Sequence, residues 1–474
     1  MPVKKNESDT TPAVGARGSG TPLQRYGWGL AIGAYAVSLG LLSGRLSLWV
    51  DEVLQLIGTR DSPDLGALLR WVAINPGGVP LGYLTQHFVI ATLGFSASSA
   101  RLPSILSSVL ACIGMAIWGK SLGLRRYETV ISAFIFAVLP LQFRYALEAR
   151  PYEQALLFCI ALNVSFEALC RRPNWRSSTI YGLIALAGVY TQPFVLMVGL
   201  SQLVWALLFL RETSRIRVVR WCAVSGGMAV LAFLPWFLFA RNQWRAHIAS
   251  SYYSFNFSWS TVSLLLREVT GSYFLTALLG TAIVLGLRDR STLSRGAKAL
   301  LTANVLIPMT GALCADVTFN YFVAARQFIF VLPPLSLLGA VGVTSLVRDR
   351  KYLGLLLFSL LLAAAAIQDI KMFGRRRENW AAAATSISVA LGTKACLITA
   401  PEEWEPLYAF FEPALNRRQC GADRRSFDHV VLVSTPYTVA GALAGIQSDL
   451  RNDGYALRHE SEVGGSHLKL FAKY

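Results

Sequence analysis

The sequence is poor in ionised residues. Only 15% of its 474 residues are charged, whereas soluble domains average about 25%. Uncharged apolar runs recur along the first three quarters of the chain, for example LLLFSLLLAAAAI at 355–367. A bilayer core accommodates about 20 apolar residues as one helix, and lipid tolerates only structures that satisfy their own backbone. Because long alternating strands are also missing, the chain is predicted to be a helical membrane protein.

Metal-binding and processing signals are missing as well. The seven cysteines include no CxxC pair, and no His, Cys and Asp residues stand at metal-ligand spacing. Nothing therefore demands a metal, although a divalent cation that bridges carboxylates and phosphate is compatible with the composition. Residues 1–24 are polar, carry no cleavable signal pattern and are expected to form a disordered cytoplasmic tail. Cys396 and Cys420 could pair if the C-terminal region is extracytoplasmic.

Basic residues outnumber acidic ones, and the formal net charge is +17. They stand in short clusters between apolar runs, which is typical of membrane-orienting loops and argues against a nucleic-acid partner. Eleven spans are predicted, near 25–44, 101–119, 129–147, 152–170, 177–191, 194–211, 221–240, 271–287, 299–316, 327–347 and 352–369. With a cytoplasmic N-terminus, five clusters fall in alternate, cytoplasmic loops: Lys120/Arg125/Arg126, Arg171/Arg172/Arg176, Arg211/Arg215/Arg217/Arg220, Arg288/Arg290/Arg295/Lys298 and Arg348/Arg350/Lys351.

This topology requires that PLGYLTQHFVIATLG (80–94) does not cross the bilayer. We expect it to be an interfacial or re-entrant helix within a long outer loop, 45–100. The transmembrane domain is then 25–369. Beyond it, residues 370–474 alternate helical patterns (378–391, 402–411 and 438–450) with strand-like runs (396–399, 429–434 and 467–472). That alternation predicts a small extracytoplasmic α/β domain, although the cluster Arg375–Arg377 fits the outer placement poorly.

Several polar residues converge on the outer side in this topology. Asp51 and Glu52 follow the first span, the motif EARPYE (148–153) joins two spans, and Gln192 lies in another outer turn. Arg241 and Arg245 follow PWF, and Arg326 begins the tenth span. Ionisable groups at membrane depth usually face a cavity or a partner. We therefore expect a polar cavity open to the outer leaflet, although each residue alone has a simpler reading as loop charge, helix junction or snorkelling arginine.

The order of these motifs resembles the bacterial GT-C glycosyltransferases of the protein-O-mannosyltransferase-like class, which includes the aminoarabinose transferases that act on lipid A. The resemblance covers roughly 28–390 and is carried by WVDE (49–52), NPGGVPLGY (75–83), ARLPSIL (100–106), EARPY (148–152), RQFIFVLPP (326–334) and RRENWAAAATSI (376–387). Three positions depart from it. GVPLGY stands where relatives commonly have PPLYY, Gln192 replaces the usual His, and Gln327 replaces a frequent Tyr, which puts the substrate in doubt.

The resemblance implies a polyprenyl-phosphate sugar donor and an envelope lipid, polysaccharide or protein as acceptor. A departing phosphate needs positive charge, and Arg326 and Arg150 are the candidates, with Arg241 or Arg245 as a third. The acceptor hydroxyl needs a base. Asp51 aligns with the family's acceptor carboxylate, and repulsion from neighbouring Glu52 could raise one of the two pKa values. Substrate-orienting roles are expected for Glu148 (through Arg150 or the sugar), Tyr152, Gln192 and Tyr83, and in-line attack would invert the anomeric carbon.

Two other functions share many of these features. A transporter or flippase of a lipid-linked sugar would have the same spans and buried charge, but it should also have internal repeats, and none is evident. A non-catalytic assembly protein of envelope biosynthesis would tolerate the loss of Asp51 and Arg326. The preferred reading is a multi-pass glycosyltransferase of the bacterial inner membrane with its site facing the periplasm.

Overall fold

The structure is a computed structural model that describes residues 22–75, 78–250, 259–319, 324–374, 378–392, 395–420, 424–435 and 437–474. The predicted tail, up to residue 21, and the cluster Arg375–Arg377 lie outside the described residues, as does the side chain of Arg245.

The chain is predominantly helical. In its first half the helices are α1 (Pro22–Ser43), α2 (Val50–Asp61), α3 (Leu65–Ile74), α4 (Pro80–Leu93), α5 (Ala97–Ser121), α6 (Arg126–Val138), α7 (Pro140–Ala146), α8 (Tyr152–Arg171), α9 (Trp175–Thr191), α10 (Val195–Phe209) and α11 (Glu212–Ser250). The second half contains α12 (Trp259–Thr270), α13 (Tyr273–Arg288), α14 (Arg295–Phe319), a 3-10 turn (Ala325–Val331), α15 (Leu332–Asp349), α16 (Lys351–Gly374), α17 (Trp380–Leu391), α18 (Glu405–Ala409) and α19 (Ala440–Asn452).

Each of the eleven predicted spans coincides with one of these helices or with a bent helix pair. Within the described residues, six helices are long and apolar enough to cross a bilayer, or up to eight if each of two bent pairs counts as one span. One bent pair is α6 and α7, which meet at 68°. The bend falls at Pro140, which lacks the amide hydrogen that a continuous helix needs. The chain is therefore a multi-pass membrane protein.

The bundle is closely packed where α13 crosses α15. A Cβ atom on Gly342 would lie 1.7 Å from the carbonyl oxygen of Ala282, and one on Gly286 would lie 2.1 Å from that of Leu338. Without a side chain, the two backbones approach closely, as is usual for small residues between membrane helices. Helix α15, which follows the turn that carries Arg326, is therefore packed tightly against α13.

The C-terminal domain (378–474) contains a four-stranded sheet. Its strands are β1 (Ala395–Ala400), β2 (His429–Ser434), β3 (Tyr455–Val463) and β4 (Ser466–Lys473), in the spatial order β1-β2-β4-β3. The β1–β2 pair is parallel and the other two pairs are antiparallel. Three of the strands were expected, but β3 was missed because it is an edge strand whose middle, LRHE, is exposed and polar. The α/β character expected of this region is confirmed.

The C-terminal domain shares a core with the segment that joins α1 to α5. One continuous cluster joins Leu48, Val50, Val53 and Leu56 from α2 and its entry to apolar residues of the C-terminal domain, among them Trp380, Ala383, Ile387, Leu397, Leu407, Tyr408, Phe410 and Val431. This segment, 45–96, also contains α3 and α4. Helix α2 therefore lies between the membrane bundle and the C-terminal domain, and it carries Asp51 in its first turn.

Candidate active site

Asp51 and Arg326 form an ion pair at the end of the bundle that carries α2. Nη1 of Arg326 lies 3.0 Å from Oδ2 of Asp51, and the two side chains are 25% and 24% exposed. The residues are 275 positions apart in the sequence. Arg326 stands in the 3-10 turn that leads into α15, where Gln327 accepts a hydrogen bond from the backbone of Ala324. The predicted base and the first predicted phosphate ligand therefore meet in an accessible position.

Arg150 extends this cluster. Its Nη1 donates to the backbone oxygen of Asp51 at 3.2 Å, and its Nη2 lies 3.4 Å from the hydroxyl of Tyr152. Ser104 fixes the Arg150 backbone by donating to its carbonyl at 2.9 Å. Burial lowers the pKa of Arg150, but Tyr152, Asp51 and Tyr83 outweigh burial, so the net pKa lies above its ordinary value. The guanidinium stays charged, and its buried Nε has no partner among the described residues.

Three tyrosines surround the charged groups. The rings of Tyr145 and Tyr152 meet edge to face with centroids 4.9 Å apart, and both lie within electrostatic range of Arg326. Tyr83, on α4, is buried within range of Arg150 and Asp51, and burial raises its pKa. Tyr83 is therefore a neutral phenol at physiological pH. The sequence predicted Tyr83 and Tyr152 for this site, but it missed Tyr145, which stands in an apolar stretch without a motif.

Glu52 points to a different partner. It is fully buried, and Arg101 binds both of its oxygens, through Nε at 2.8 Å and Nη2 at 2.7 Å. The same carboxylate accepts from the backbone amides of Ala149 at 2.7 Å and Trp49 at 3.2 Å. The described contacts of the Glu52 carboxylate are all with Arg101 and backbone amides of this chain, and its expected role beside Asp51 stays a prediction.

Glu148 also lies close to an arginine, and its expected role in orienting Arg150 or the sugar stays a prediction. It is fully buried and pairs with Arg144 one helical turn earlier, with Nε 3.0 Å from Oε1. The guanidinium of Arg144 lies 5.6 Å from the ring of Trp49, two residues before Asp51. Arg144 is thus a further cation beside the site. The sequence offered one signal for it, the i,i+4 spacing of an arginine and a glutamate.

A buried hydrogen-bond network around Gln86 connects the elements that carry Asp51 and Arg150. Gln86 on α4 donates to the carbonyls of Ala100 at 3.0 Å and Ala149 at 3.2 Å. Its oxygen accepts from Gln55 at 3.0 Å and Thr59 at 3.1 Å, both on α2. Gln86 therefore joins α2, α4, α5 and the segment that precedes Arg150, and it was not singled out from the sequence.

Two predicted residues lie apart from the cluster. Gln192 is the C-cap residue of α9, and its backbone amide donates to the carbonyl oxygen of Gly188 at 2.7 Å. Arg241 is exposed in the C-terminal half of α11 and forms no ion pair within the described residues. Arg245 lies where side chains are not described. In the described part of the chain, no group of three His, Cys, Asp or Glu side chains is placed to hold a metal ion.

Comparisons with known proteins identify the fold. No protein-family model matches the sequence, and no curated protein is similar to it in sequence. Among solved structures, the chain is similar to ArnT from Cupriavidus metallidurans in the apo state, with a TM-score of 0.59, 12% identity and coverage of 94% of this chain and 98% of that one. The structure of ArnT bound to undecaprenyl phosphate gives a TM-score of 0.62 at 11% identity, with the same coverage.

A third structure, the arabinofuranosyltransferase AftD from Mycobacteria, has a TM-score of 0.59 and 16% identity, and it matches 94% of this chain but 40% of its own. The match to ArnT extends over nearly the whole of both chains, including the C-terminal region. The resemblance to the GT-C class noted from the sequence motifs is therefore confirmed at the level of fold.

Proposed function

We propose that this protein transfers a sugar from a polyprenyl-phosphate donor to an envelope acceptor at the outer face of a bacterial inner membrane, with inversion at the anomeric carbon. The observation that carries the proposal is the Asp51–Arg326 pair, whose side chains are about a quarter exposed, with charged Arg150 beside it. A carboxylate next to two guanidinium groups provides a base for a hydroxyl nucleophile and positive charge for a departing phosphate.

The fold supports a lipid-phosphate donor. One structure similar to this chain is that of ArnT bound to undecaprenyl phosphate, and another is that of an arabinofuranosyltransferase. Both names connect this fold with glycosyl transfer or with a polyprenyl phosphate. The acceptor is proposed only as a class, a hydroxyl of an envelope lipid, polysaccharide or protein, because the residues that depart from the motif pattern are those expected near the substrate.

The cysteines support the proposed orientation. Cys396 and Cys420 form a disulfide in the C-terminal domain, with their sulfur atoms 2.08 Å apart. Disulfides persist in oxidising compartments such as the bacterial periplasm and are rare in the cytoplasm. The positive-inside pattern of the loops gives the same orientation independently. Asp51, which packs against that domain through α2, would then face the periplasm.

The chemical step follows from the roles of these groups. The acceptor hydroxyl gives its proton to Asp51 while its oxygen attacks the anomeric carbon from the face opposite the phosphate. The bond between that carbon and the phosphate oxygen breaks, and both electrons leave with polyprenyl phosphate. Arg326 and Arg150 neutralise the charge that develops on this leaving group.

The ion pair of Asp51 and Arg326 has a consequence for the order of events. Nη1 of Arg326 donates to Oδ2 of Asp51 at 3.0 Å, so this oxygen accepts from Arg326 rather than from an acceptor hydroxyl. A donor phosphate would compete for the same guanidinium. Binding of the donor would therefore release Asp51 for the acceptor, so the base becomes effective after the donor is in place.

The test is release of polyprenyl phosphate from labelled polyprenyl-phosphate sugars by the purified protein in lipid. We expect acceptor-dependent release by the wild type and a loss of about 10²–10⁴-fold in Asp51→Asn, the range for a removed general base. Arg326→Ala should lose about 10²-fold or more because a leaving-group contact is missing. Asp61→Asn is the matched control, since Asp61 stands at the other end of α2, 47% exposed.

The outcomes separate the alternatives. If the protein transports an intact lipid-linked sugar and releases no polyprenyl phosphate, it is a transporter and not a transferase. Release that survives Asp51→Asn would keep the transferase but exclude Asp51 as its base.

A further inference from the structure

Glu378, the first described residue of the C-terminal domain, binds the amino end of the helix that carries Asp51. Its Oε2 accepts from the backbone amide of Val50 at 3.2 Å and from the indole of Trp380 at 2.9 Å. Its Oε1 accepts from the hydroxyl of Tyr437, and its backbone oxygen accepts from the hydroxyl of Ser47 at 2.8 Å. One residue of the C-terminal domain therefore fixes the chain on both sides of Trp49.

The carboxylate is suited to this position. The first amides of a helix have no intrahelical acceptor, and a negative charge at a helix amino end interacts favourably with the helix dipole. Trp49, the N-cap residue of α2, provides no side-chain hydrogen bond of its own. Glu378 supplies, from another domain, an acceptor for the amide of Val50, the first residue of the helix.

The C-terminal domain also holds the far end of α2. The guanidinium of Arg60 lies 3.5 Å from the ring centroid of Phe410, and the apolar face of α2 packs into the shared core with Trp380 and Tyr408. Around Glu378 itself, the rings of Trp404 and Tyr437 lie 5.0 Å apart, and those of Trp380 and Tyr408 lie 5.1 Å apart. Two aromatic residues of this group, Trp380 and Tyr437, thus contact the carboxylate directly.

We propose that Glu378 is a positioning residue for the transfer reaction: through Val50 it sets the location of Asp51 relative to Arg326, so the C-terminal domain is part of the catalytic machinery. This inference rests on the proposed function for the role of Asp51. Displacing a reacting group by about 1 Å can cost about 10²-fold in rate, and Asp51 is the residue that follows Val50.

The variant Glu378→Gln probes the charge with little change of shape. A carboxylate has two acceptor oxygens for the three donors Val50, Trp380 and Tyr437, whereas an amide has one acceptor oxygen and turns its NH₂ group toward a donor. Tyr437→Phe removes a single donor, and Glu462→Gln is the matched control. Glu462 lies in the same domain on the exposed edge strand β3, away from α2.

Two measurements on the full-length protein in lipid test the inference. Hydrogen exchange of the peptide that contains Val50 reports the contact without any need for catalysis, and we expect exchange to be faster by about tenfold or more in Glu378→Gln. Steady-state kinetics should show kcat reduced by about tenfold to 100-fold with the donor KM unchanged, because the phosphate ligands Arg150 and Arg326 remain. Tyr437→Phe should give a smaller change of the same kind, and Glu462→Gln should give none.

Each outcome has one meaning. Unchanged exchange at Val50 in both Glu378→Gln and Glu378→Ala overturns the contact itself, because alanine keeps no acceptor at this position. Faster exchange with unaltered kcat overturns the positioning role. An equal loss of kcat in the control Glu462→Gln overturns it as well. Faster exchange in a protein whose wild type releases no polyprenyl phosphate from any donor leaves the contact in place and rejects the proposed function instead.

Discussion

At the scale of single residues, Glu52 and Arg101 form an ion pair that is closed to solvent. Both side chains are 0% exposed. Besides Glu52, Arg101 donates to the carbonyls of Leu46 at 2.8 Å and Ser47 at 3.0 Å, and it also binds that of Ser43. One guanidinium thus shapes the whole segment that enters α2.

We expect Glu52→Gln to destabilise the protein strongly. The substitution leaves Arg101 as a buried charge without its counter-ion, which costs about 3–5 kcal/mol. The measurement is thermal unfolding in lipid nanodiscs. As a control, Asp61→Asn removes a partly exposed pair with Arg60 and should cost no more than about 1 kcal/mol. If Glu52→Gln unfolds at the same temperature as the wild type yet loses activity, the residue acts in catalysis and our structural assignment is wrong.

Residue types and motif order were sufficient to select Asp51, Arg150 and Arg326 from the sequence. They could not assign partners, because two carboxylates of one motif, Asp51 and its neighbour Glu52, point from α2 to different arginines. Which arginine meets which acid depends on the direction of each helix face. That direction is a property of the folded bundle and is not contained in spacing along the chain.

At the scale of elements, α4 packs closely against the segment that carries Arg150. A Cβ atom on Gly82 would lie 2.4 Å from Cβ of Pro151, so only glycine permits this approach. The departure from the PPLYY pattern at this position therefore has a packing reason. Tyr83 and Gln86, on the same helix, reach the site and its supporting network because α4 lies so close.

We expect Gly82→Ala to disturb this contact. The added methyl group must push α4 from Pro151, and overpacking of this kind typically costs about 1–3 kcal/mol. Because Tyr83 moves with α4, the donor KM should rise as well. Gly280→Ala is the matched control, since a Cβ atom there meets nothing within 4 Å. Thermal unfolding and donor KM check both variants. Equal behaviour of the two would refute the close packing of α4.

Elements with strong apolar patterns were predicted well, and those defined by tertiary contacts were not. The eleven apolar runs and three inward-facing strands have a visible pattern, whereas β3 is polar and gains its conformation by pairing with β4 along eight positions. The break at Pro140 and the separate helices α2 and α3 were also not resolved. In each case the backbone path depends on neighbours far away in the sequence.

At the scale of the whole molecule, the distribution of charge and the disulfide predict one orientation. Loops rich in arginine, such as that between α13 and α14, face the cytoplasm under the positive-inside rule. In this loop Asp289 accepts hydrogen bonds from Thr292 at 2.8 Å and from Arg348 at 2.7 Å. Burial raises the pKa of Asp289, but these hydrogen bonds outweigh burial and hold it below its ordinary value. A carboxylate that stays ionised neutralises one cation and leaves the loop strongly positive.

We expect opposite labelling of two introduced cysteines in intact cells stripped of their outer membrane. Glu462→Cys, on the exposed edge of the C-terminal domain, should react with a membrane-impermeant maleimide, whereas Arg290→Cys should react only after lysis. The background carries Cys170→Ser and Cys314→Ser, because these two free cysteines are not fully buried, while Cys396 and Cys420 are protected by their disulfide.

The reverse pattern would have a wide consequence. It would place the C-terminal domain in the cytoplasm, where the disulfide between Cys396 and Cys420 would not persist. Because α2 shares its core with that domain, Asp51 and Arg326 would also face the cytoplasm, and a donor presented at the periplasmic face could not reach them. Labelling of both cysteines before lysis would instead show that one of the intervening spans, α14, α15 or α16, does not cross. The orientation of two surface positions therefore tests the location of the site without any knowledge of its substrate.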